Sequence, residues 1–475
     1  MRWTKMVATV GPSTSTPERL SELLAAGVDV VRLNFSHGRP EEHWERLRQI
    51  RRWEKEQGRP ISVLQDLPGP KLRVGLLKQD RALESGEEVL LTGRSRVEEE
   101  RVIPCTYPQL AEEVQPGHRI LLDDGRIELE VERTAPPDVS CRVVEGGVLS
   151  SHKGINLPDT PLRLPALTER DRAYLRQGLE HGVDYIAVSF VRTPRDMEDA
   201  RALVQTSDAS PKLIAKIEKP EAVEHLKDIL QLSDGVMVAR GDLGVELPIE
   251  DVPVVQKHII TAANNAGVLV ITATQMLESM THEARPTRAE ATDVANAVLD
   301  GTDALMLSGE TAIGTYPVEA VRVMDRIIRQ AEHFLTKEQP WSLRFHEWRP
   351  DSFADAIAFA ACHVAHELKA RALVPFSRSG FTALCVSKLH PRKEILAFTP
   401  SISTWRQMAL FWGVRPILLE PISTTEEMVE RVEAFLIERG WVGAGDTLVL
   451  LAGAPTGMAG TTNSLRLLQV GGEHC

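Results

Sequence analysis

Cysteine is scarce, and the little that is present excludes two classes of chemistry. The five residues, Cys105, Cys141, Cys362, Cys385 and Cys475, are scattered and odd in number. They lack metal-type spacing, and a disulfide framework would need a denser, even set. A reducing cytoplasm fits that pattern. Long apolar runs are missing too: none reaches the roughly 18 residues of a membrane helix, and the opening MRWTKMVATVGP lacks the apolar length of a signal sequence. Excess positive charge is likewise absent. With 55 Lys and Arg against 67 Asp and Glu, the formal net charge is −12, which argues against nucleic acid or an anionic membrane as main partner. A local basic pocket for a phosphorylated small molecule stays compatible with it.

What is there is length and repetition. A chain of 475 residues, 43% hydrophobic and 26% charged, has the size of two or three globular domains. Short Val, Ile and Leu runs alternate with amphipathic stretches ending near glycine, the signature of βα units. Eight predicted strands precede residue 310: KMVATV (5–10), DVVRLNFS (29–36), ISVLQDL (61–67), DYIAVSF (184–190), KLIAKIE (212–218), GVMVAR (235–240), VLVITAT (268–274) and ALMLS (304–308). Eight such units predict a (β/α)8 TIM barrel, spanning 1–68 and 166–344, with its chemistry at the C-terminal strand ends. The third repeat is interrupted. From 69 to 165 alternating apolar and polar residues with Gly turns predict a small inserted all-β barrel, a lid over the mouth, with Pro68, Gly69 and Pro70 as a stiff hinge. Residues 345–475 carry a second αβ pattern, predicting a doubly wound α/β regulatory domain.

The polar residues cluster at the predicted strand ends. Lys216 and Glu218 are two apart and face the same way. Gly241 and Asp242 end the next strand, roughly 4.8 Å away, so Glu218 and Asp242 could share one divalent ion beside Lys216. A structural salt-bridge network at the rim fits the same three residues. Arg32, Asn34 and Ser36 alternate in VRLNFSHG and suit phosphate oxygens or a cation. Asp66 ends the third strand, with Lys71 and Arg73 at the hinge. Thr272 and Thr274 are predicted to share a face, and Ser308 ends the eighth strand.

The combination resembles one family. MVATVGPST, VRLNFSHG, KGINLP, AKIEKPE, MVARGDLGVE, TATQMLESM, RPTRAEATDVANAV and LSGETA occur in the order and spacing of pyruvate kinase, and the resemblance covers the whole chain. It implies transfer of a phosphoryl group from phosphoenolpyruvate to ADP, giving ATP and pyruvate. It also implies Mg²⁺ (or Mn²⁺) on Glu218 and Asp242, and Lys216 stabilising the phosphoryl group in flight. Gly241 and Asp242 would bind the substrate carboxylate through N–H groups. Thr274 would stand at the enolate face, where protonation gives pyruvate. Arg32, Arg73 and Lys153 would neutralise phosphates. Thr9, Pro12 and the stretch Asn34, Phe35, Ser36, His37 fall where ADP packs, and Ser189 and Ser308 match polar residues near the substrate. In potassium-dependent members an Asn, a Ser, an Asp and a carbonyl, here Asn34, Ser36, Asp66 and Leu67, hold K⁺, and a glutamate follows Gly-Pro. This chain has Lys71 there, so K⁺ is expected to be dispensable and the site vestigial. The effector is expected at Ser377, Arg378, Ser379, Gly380 and Thr382. The later loop GAPTGMAGTT carries no Arg or Trp, which favours AMP or a sugar monophosphate over a bisphosphate. A homotetramer is implied as well.

Two other readings stand beside it. Lys216 could form a Schiff base in a pyruvate aldolase, although Glu218 and Asp242 favour its charged form. A catalytically silent metabolite sensor is disfavoured because no residue of the catalytic set is missing.

Overall fold

The computed structural model describes residues 2–94, 99, 101–205, 210–338, 352–421, 424–453 and 462–472. Eight parallel strands close into a barrel: Lys5–Thr9, Val30–Asn34, Ser62–Asp66, Tyr185–Val188, Lys212–Ile217, Gly235–Ala239, Leu269–Ala273 and Ala304–Leu307. Each pairs with its neighbour in sequence, and the first closes on the eighth with Lys5 opposite Ala304. Every expected strand is present, shortened by one or two residues where the chain leaves the ladder for the mouth.

Strand parity explains what reaches the mouth. Val7, Val30, Leu64, Ala187, Ile214 and Met306 belong to the cluster filling the barrel interior. Ala8, Val31, Val63, Ile186, Leu213 and Leu305 belong to the outer layer under the helices. Side chains alternate along a strand, so two residues beyond the inner set come Thr9, Arg32, Asp66, Ser189, Lys216 and Ser308. The sequence sets this rim of polar groups simply by spacing them evenly after apolar ones.

The insert forms a six-stranded sheet ordered Ile155–Asn156, Arg119–Leu122, Ile127–Ala135, Asp138–Glu145, Glu88–Thr92, Val102–Pro104, with Arg81–Leu83 pairing separately to Gly147–Leu149. Its own core includes Leu91, Ile103, Ile120, Leu129 and Val139. It is not all β: the turn Leu110–Glu113 is helical, burying Leu110 and Ala111 under the sheet. At the hinge Gly69 has φ +69°, and a Cβ there would lie 2.7 Å from Phe190 Cδ2 and 3.0 Å from Ser189 Cβ. Only glycine combines that conformation with so close an approach.

The C-terminal sheet runs Val414–Leu418, Glu394–Thr399, Ala372–Pro375, Thr447–Ala452, Ser464–Gln469. Its last strand is antiparallel to its neighbour, an edge strand on the otherwise parallel sheet of the expected α/β domain. This layer packs on the N-terminal end of the barrel, away from the polar rim. Lys5 Nζ donates to the Val414 carbonyl at 2.7 Å, Tyr185 Oη to that of Gln407 at 2.7 Å, and Lys388 pairs with Asp303 at 2.6 Å. One apolar cluster joins the barrel interior to Leu373, Ala397 and Phe411 of this sheet and its helices. The boundary expected at 344/345 lies outside the described residues. No helix among the described residues is long and apolar enough to cross a membrane.

Candidate active site

Lys216 is the centre of the rim. Its ammonium donates to Ser189 Oγ at 2.7 Å and pairs with Glu218 Oε1 at 2.7 Å and Asp66 Oδ1 at 3.3 Å. Burial alone would lower its pKa, but the charges of Asp66, Glu218 and Asp242 reverse that and hold it well above an ordinary lysine. Asp66 shows the reciprocal effect. Burial pushes its carboxyl up, yet Lys216 and Arg32 keep it below the usual range. Arg32 Nε donates to Asp66 Oδ2 at 2.6 Å and its Nη1 to Thr9 Oγ1 at 3.0 Å, while Thr9 bonds the Leu307 carbonyl. The C-terminal ends of the first five strands are thereby stitched together by two cations.

Glu218 is crowded by negative charge. Burial pushes its carboxyl up, and Asp242 adds to that push against the pull of Lys216. Its Oε2 accepts the Phe190 N–H at 2.7 Å. Two hard carboxylates in mutual repulsion are a donor set that a divalent cation relieves. Among the described residues no group of three or more His, Cys, Asp or Glu gathers in metal-binding fashion.

Thr274 and Thr272 do not share a face, contrary to expectation. Thr272 points outward, fully buried, with its hydroxyl on Thr302 at 3.0 Å. Thr274 reaches the mouth because its φ of +66° turns the chain; its Oγ1 accepts the Gly241 N–H at 2.8 Å and donates to the Ala273 carbonyl at 2.6 Å. The Gly241 N–H expected for a substrate carboxylate is thus taken by Thr274. Phe35 lies in the stretch expected to pack against ADP. Its ring is 2% exposed and stacks on His43 with centroids 4.5 Å apart, so it is core and offers a nucleotide nothing but backbone. Ser308 Oγ is buried with no partner.

Around the hinge the charge is positive. Burial, then Arg73, Lys71 and Arg32, lower the His37 pKa. Arg73 donates to the His152 carbonyl at 2.9 Å, and Lys153 pairs with Asp123 at 2.8 Å on the lid. Pro12 is exposed. Lys71 is exposed too, its ε-carbon 3.6 Å from where a Cβ on Gly154 would sit. The residues matched to a monovalent cation are otherwise engaged: Asn34 Oδ1 accepts the Ser36 N–H at 3.1 Å, the Leu67 carbonyl accepts Ser189 Oγ at 2.7 Å, and Asp66 holds two cations.

Other parts of the arrangement went unread in the sequence. Lys219 and Asn156 of the lid both donate to Glu246 Oε1, at 2.6 and 2.7 Å. Arg240 donates to carbonyls of the Thr274 turn. All four sit inside the motifs AKIEKPE, KGINLP and ARGDLGVE, which was the available signal.

In the C-terminal layer, Ser377 to Gly380 link the strand Ala372–Pro375 to the helix Phe381–Lys388. Ser377 Oγ accepts the Thr382 N–H at 3.3 Å, Thr382 Oγ1 meets Thr462 Oγ1 at 2.8 Å, and Arg378 and Ser379 are exposed. Most of GAPTGMAGTT lies outside the described residues.

Comparison with known proteins matches this layout. Residues 1–321 fit the family profile "Pyruvate kinase, barrel domain" and residues 355–468 the profile "Pyruvate kinase, alpha/beta domain". The chain belongs to the pyruvate kinase family. It is 45% identical to "Pyruvate kinase 2" of Synechocystis over 98% of this chain and 79% of that protein. It is 41% identical to the pyruvate kinase of Clostridium perfringens over 99% of this chain and all of that one. A crystal structure of a pyruvate kinase from Cryptosporidium parvum superposes with a TM-score of 0.92 at 34% identity, covering 99% of this chain and 96% of that one.

Proposed function

We propose a division of labour for the family reaction, in which phosphoenolpyruvate gives its phosphoryl group to ADP, yielding ATP and pyruvate. The observation that carries it is the Lys216 ammonium, buried yet kept charged at the convergence of Ser189, Asp66 and Glu218. A preorganised cation in a water-poor mouth is what a phosphoryl group in flight requires. Arg32, Arg73 and Lys153 take up phosphate charge on substrate and nucleotide. Glu218 and Asp242 are the oxygen donors for Mg²⁺ or Mn²⁺, whose contribution when bound is to screen charge on the transferring group. Thr274 stands at the enolate face, and its hydroxyl shares the Gly241 N–H with the arriving carboxylate, beside the N–H of Asp242. Ser189 orients Lys216, and Ser308, at the end of the eighth strand, belongs to the same polar lining near substrate. Thr9, Pro12, Asn34, Ser36 and His37 border ADP.

Lys71 replaces an external monovalent cation. Support comes from its field on His37, not from a contact with Asp66, whose cationic partners are Arg32 and Lys216. The division into barrel (1–68, 166–344), lid (69–165) and regulatory domain (345–475) belongs to the same proposal, as do the effector loop 377–382, a homotetramer and a cytoplasmic setting. A lactate dehydrogenase-coupled assay with phosphoenolpyruvate, ADP and Mg²⁺ tests the function directly: turnover is expected, and its absence refutes the reading. The aldolase alternative needs a neutral lysine, whereas the field of three carboxylates keeps Lys216 charged. Borohydride with pyruvate is therefore expected to leave the protein unlabelled.

A further inference from the structure

Thr274 sits in a backbone conformation that its own side chain opposes. Its φ is +66° and that of Gln275 +55°, a region that a β-branched residue enters only as an outlier. Such strain persists where the surroundings over-determine it. Here the surroundings are one guanidinium. Arg240, 8% exposed, directs Nη2 to the carbonyls of Thr274 at 2.7 Å and Gln275 at 3.2 Å and to Met276 Sδ at 2.8 Å, with Nε 3.4 Å from the Ala273 carbonyl. Its Nη1 is anchored from behind by Asp293 at 2.7 Å and Gln256 at 3.3 Å. Arg240 also opens the helix Arg240–Glu246, so the next residue, Gly241, presents the N–H that holds Thr274 Oγ1 at 2.8 Å. One residue thus fixes the strained backbone directly and the hydroxyl through its neighbour.

We infer that Arg240 is a positioning residue for the proton step of the reaction, acting through Thr274. The inference rests on the reading of Thr274 as the group at the enolate face. In that step the enolate left by phosphoryl departure takes one proton at its methylene carbon while its C–O bond becomes the ketone of pyruvate. The proton comes from solvent by way of the Thr274 hydroxyl, which water then reprotonates. A lysine at position 240 keeps the charge but not the planar fork that spans successive carbonyls.

The test separates proton transfer from phosphoryl transfer. Exchange of pyruvate methyl hydrogens for deuterium, followed by NMR in D₂O with Mg²⁺ and ATP, reports the first; single-turnover ATP formation from phosphoenolpyruvate and ADP reports the second. Arg240→Lys is expected to slow exchange by about tenfold or more while ATP formation and substrate KM change by less than about threefold. Equal losses in both, or unchanged exchange, overturn the inference. Thr274→Val is run alongside. If it exchanges normally, the reading of Thr274 has failed and the role of Arg240 falls with it. If it has lost exchange while Arg240→Lys has not, only the role of Arg240 is wrong. Should Arg240→Lys fail to fold, Asp293→Asn, which frees the rear anchor, decides in the same way, with about a threefold selective loss of exchange expected.

Discussion

Lys216 is 9% exposed and still charged because Asp66 and Glu218 stand 3.3 and 2.7 Å away. Replacing it by methionine removes charge from the transferring group while leaving most of the substrate contacts. Lys216→Met is therefore expected to lower kcat by about three orders of magnitude, roughly 4 kcal/mol of barrel-mouth electrostatics, with a much smaller change in KM. Steady-state kinetics on a variant shown to be folded decides it, and near-normal turnover refutes the role. Lys71 makes a different claim. The unmodified enzyme is expected to run at near-full rate with tetramethylammonium as the sole monovalent cation, and Lys71→Glu to acquire K⁺ dependence. Activation of the unmodified enzyme by K⁺ of about tenfold, equivalent to about 1.4 kcal/mol, would contradict this. At this scale the sequence was legible wherever strand alternation delivers a side chain, as for Arg32, Asp66 and Lys216. It was not legible where a turn intervenes. The φ of Thr274 cannot be read from ITATQM, and Phe35 shares VRLNFSHG with true mouth residues while its parity sends it to the core.

Among elements, the helix Arg240–Glu246 carries Asp242, the proposed metal ligand, near one end and a tie to the inserted sheet at the other. Glu246, 6% exposed, holds Lys219 from the fifth strand's end and Asn156 from the lid strand on one oxygen. Glu246→Leu leaves a buried ammonium unpaired and should cost about 3–5 kcal/mol in denaturant unfolding. Asn156→Ala, which breaks only the lid tie, should cost about 1 kcal/mol and raise the KM for ADP more than it lowers kcat. Equal costs for the two variants would deny that the lid tie is the weaker half of the junction. The strands and the inserted sheet were readable because hydrophobic period and Gly-Pro punctuation are local. The antiparallel edge strand Ser464–Gln469 and the helical turn Leu110–Glu113 were not, since nothing local distinguishes an edge strand's direction, and a four-residue helix is decided by what covers it.

Across the molecule, the floor of the barrel titrates. Burial, partly offset by Asp29, pushes Lys5 down to about 8, whereas an unfolded lysine titrates near about 10.4. Between those values the unfolded chain binds a proton that the native one lacks, so stability rises with pH there. Below about 8 both states are charged and the native state bears the full burial cost, on the order of 3 kcal/mol. The stability difference between Lys5→Met and the unmodified protein should therefore favour methionine most near pH 7 and decline toward pH 10, less the lost bond to Val414. A difference that is flat with pH, measured by urea unfolding, would place the titration elsewhere. At the far layer, AMP or a hexose monophosphate is expected to activate more strongly than fructose 1,6-bisphosphate, and the reverse order in the coupled assay would count against the loop reading. The shared apolar cluster beneath the strands has a further consequence for how such chains can be recombined. Val7, Tyr185 and Met306 are packed in one mass with Leu373 and Phe411, and Ser62, Tyr185 and Asp303 are bonded to Arg406, Gln407 and Lys388. A crossover that swaps the C-terminal layer for a relative's, in nature or in a shuffled library, cannot be judged by the linker where the two parts join. The seam that has to match runs through the bottom of the barrel, so a chimera inherits its compatibility from Lys5, Val7, Ser62, Tyr185 and Asp303, all far in sequence from the cut.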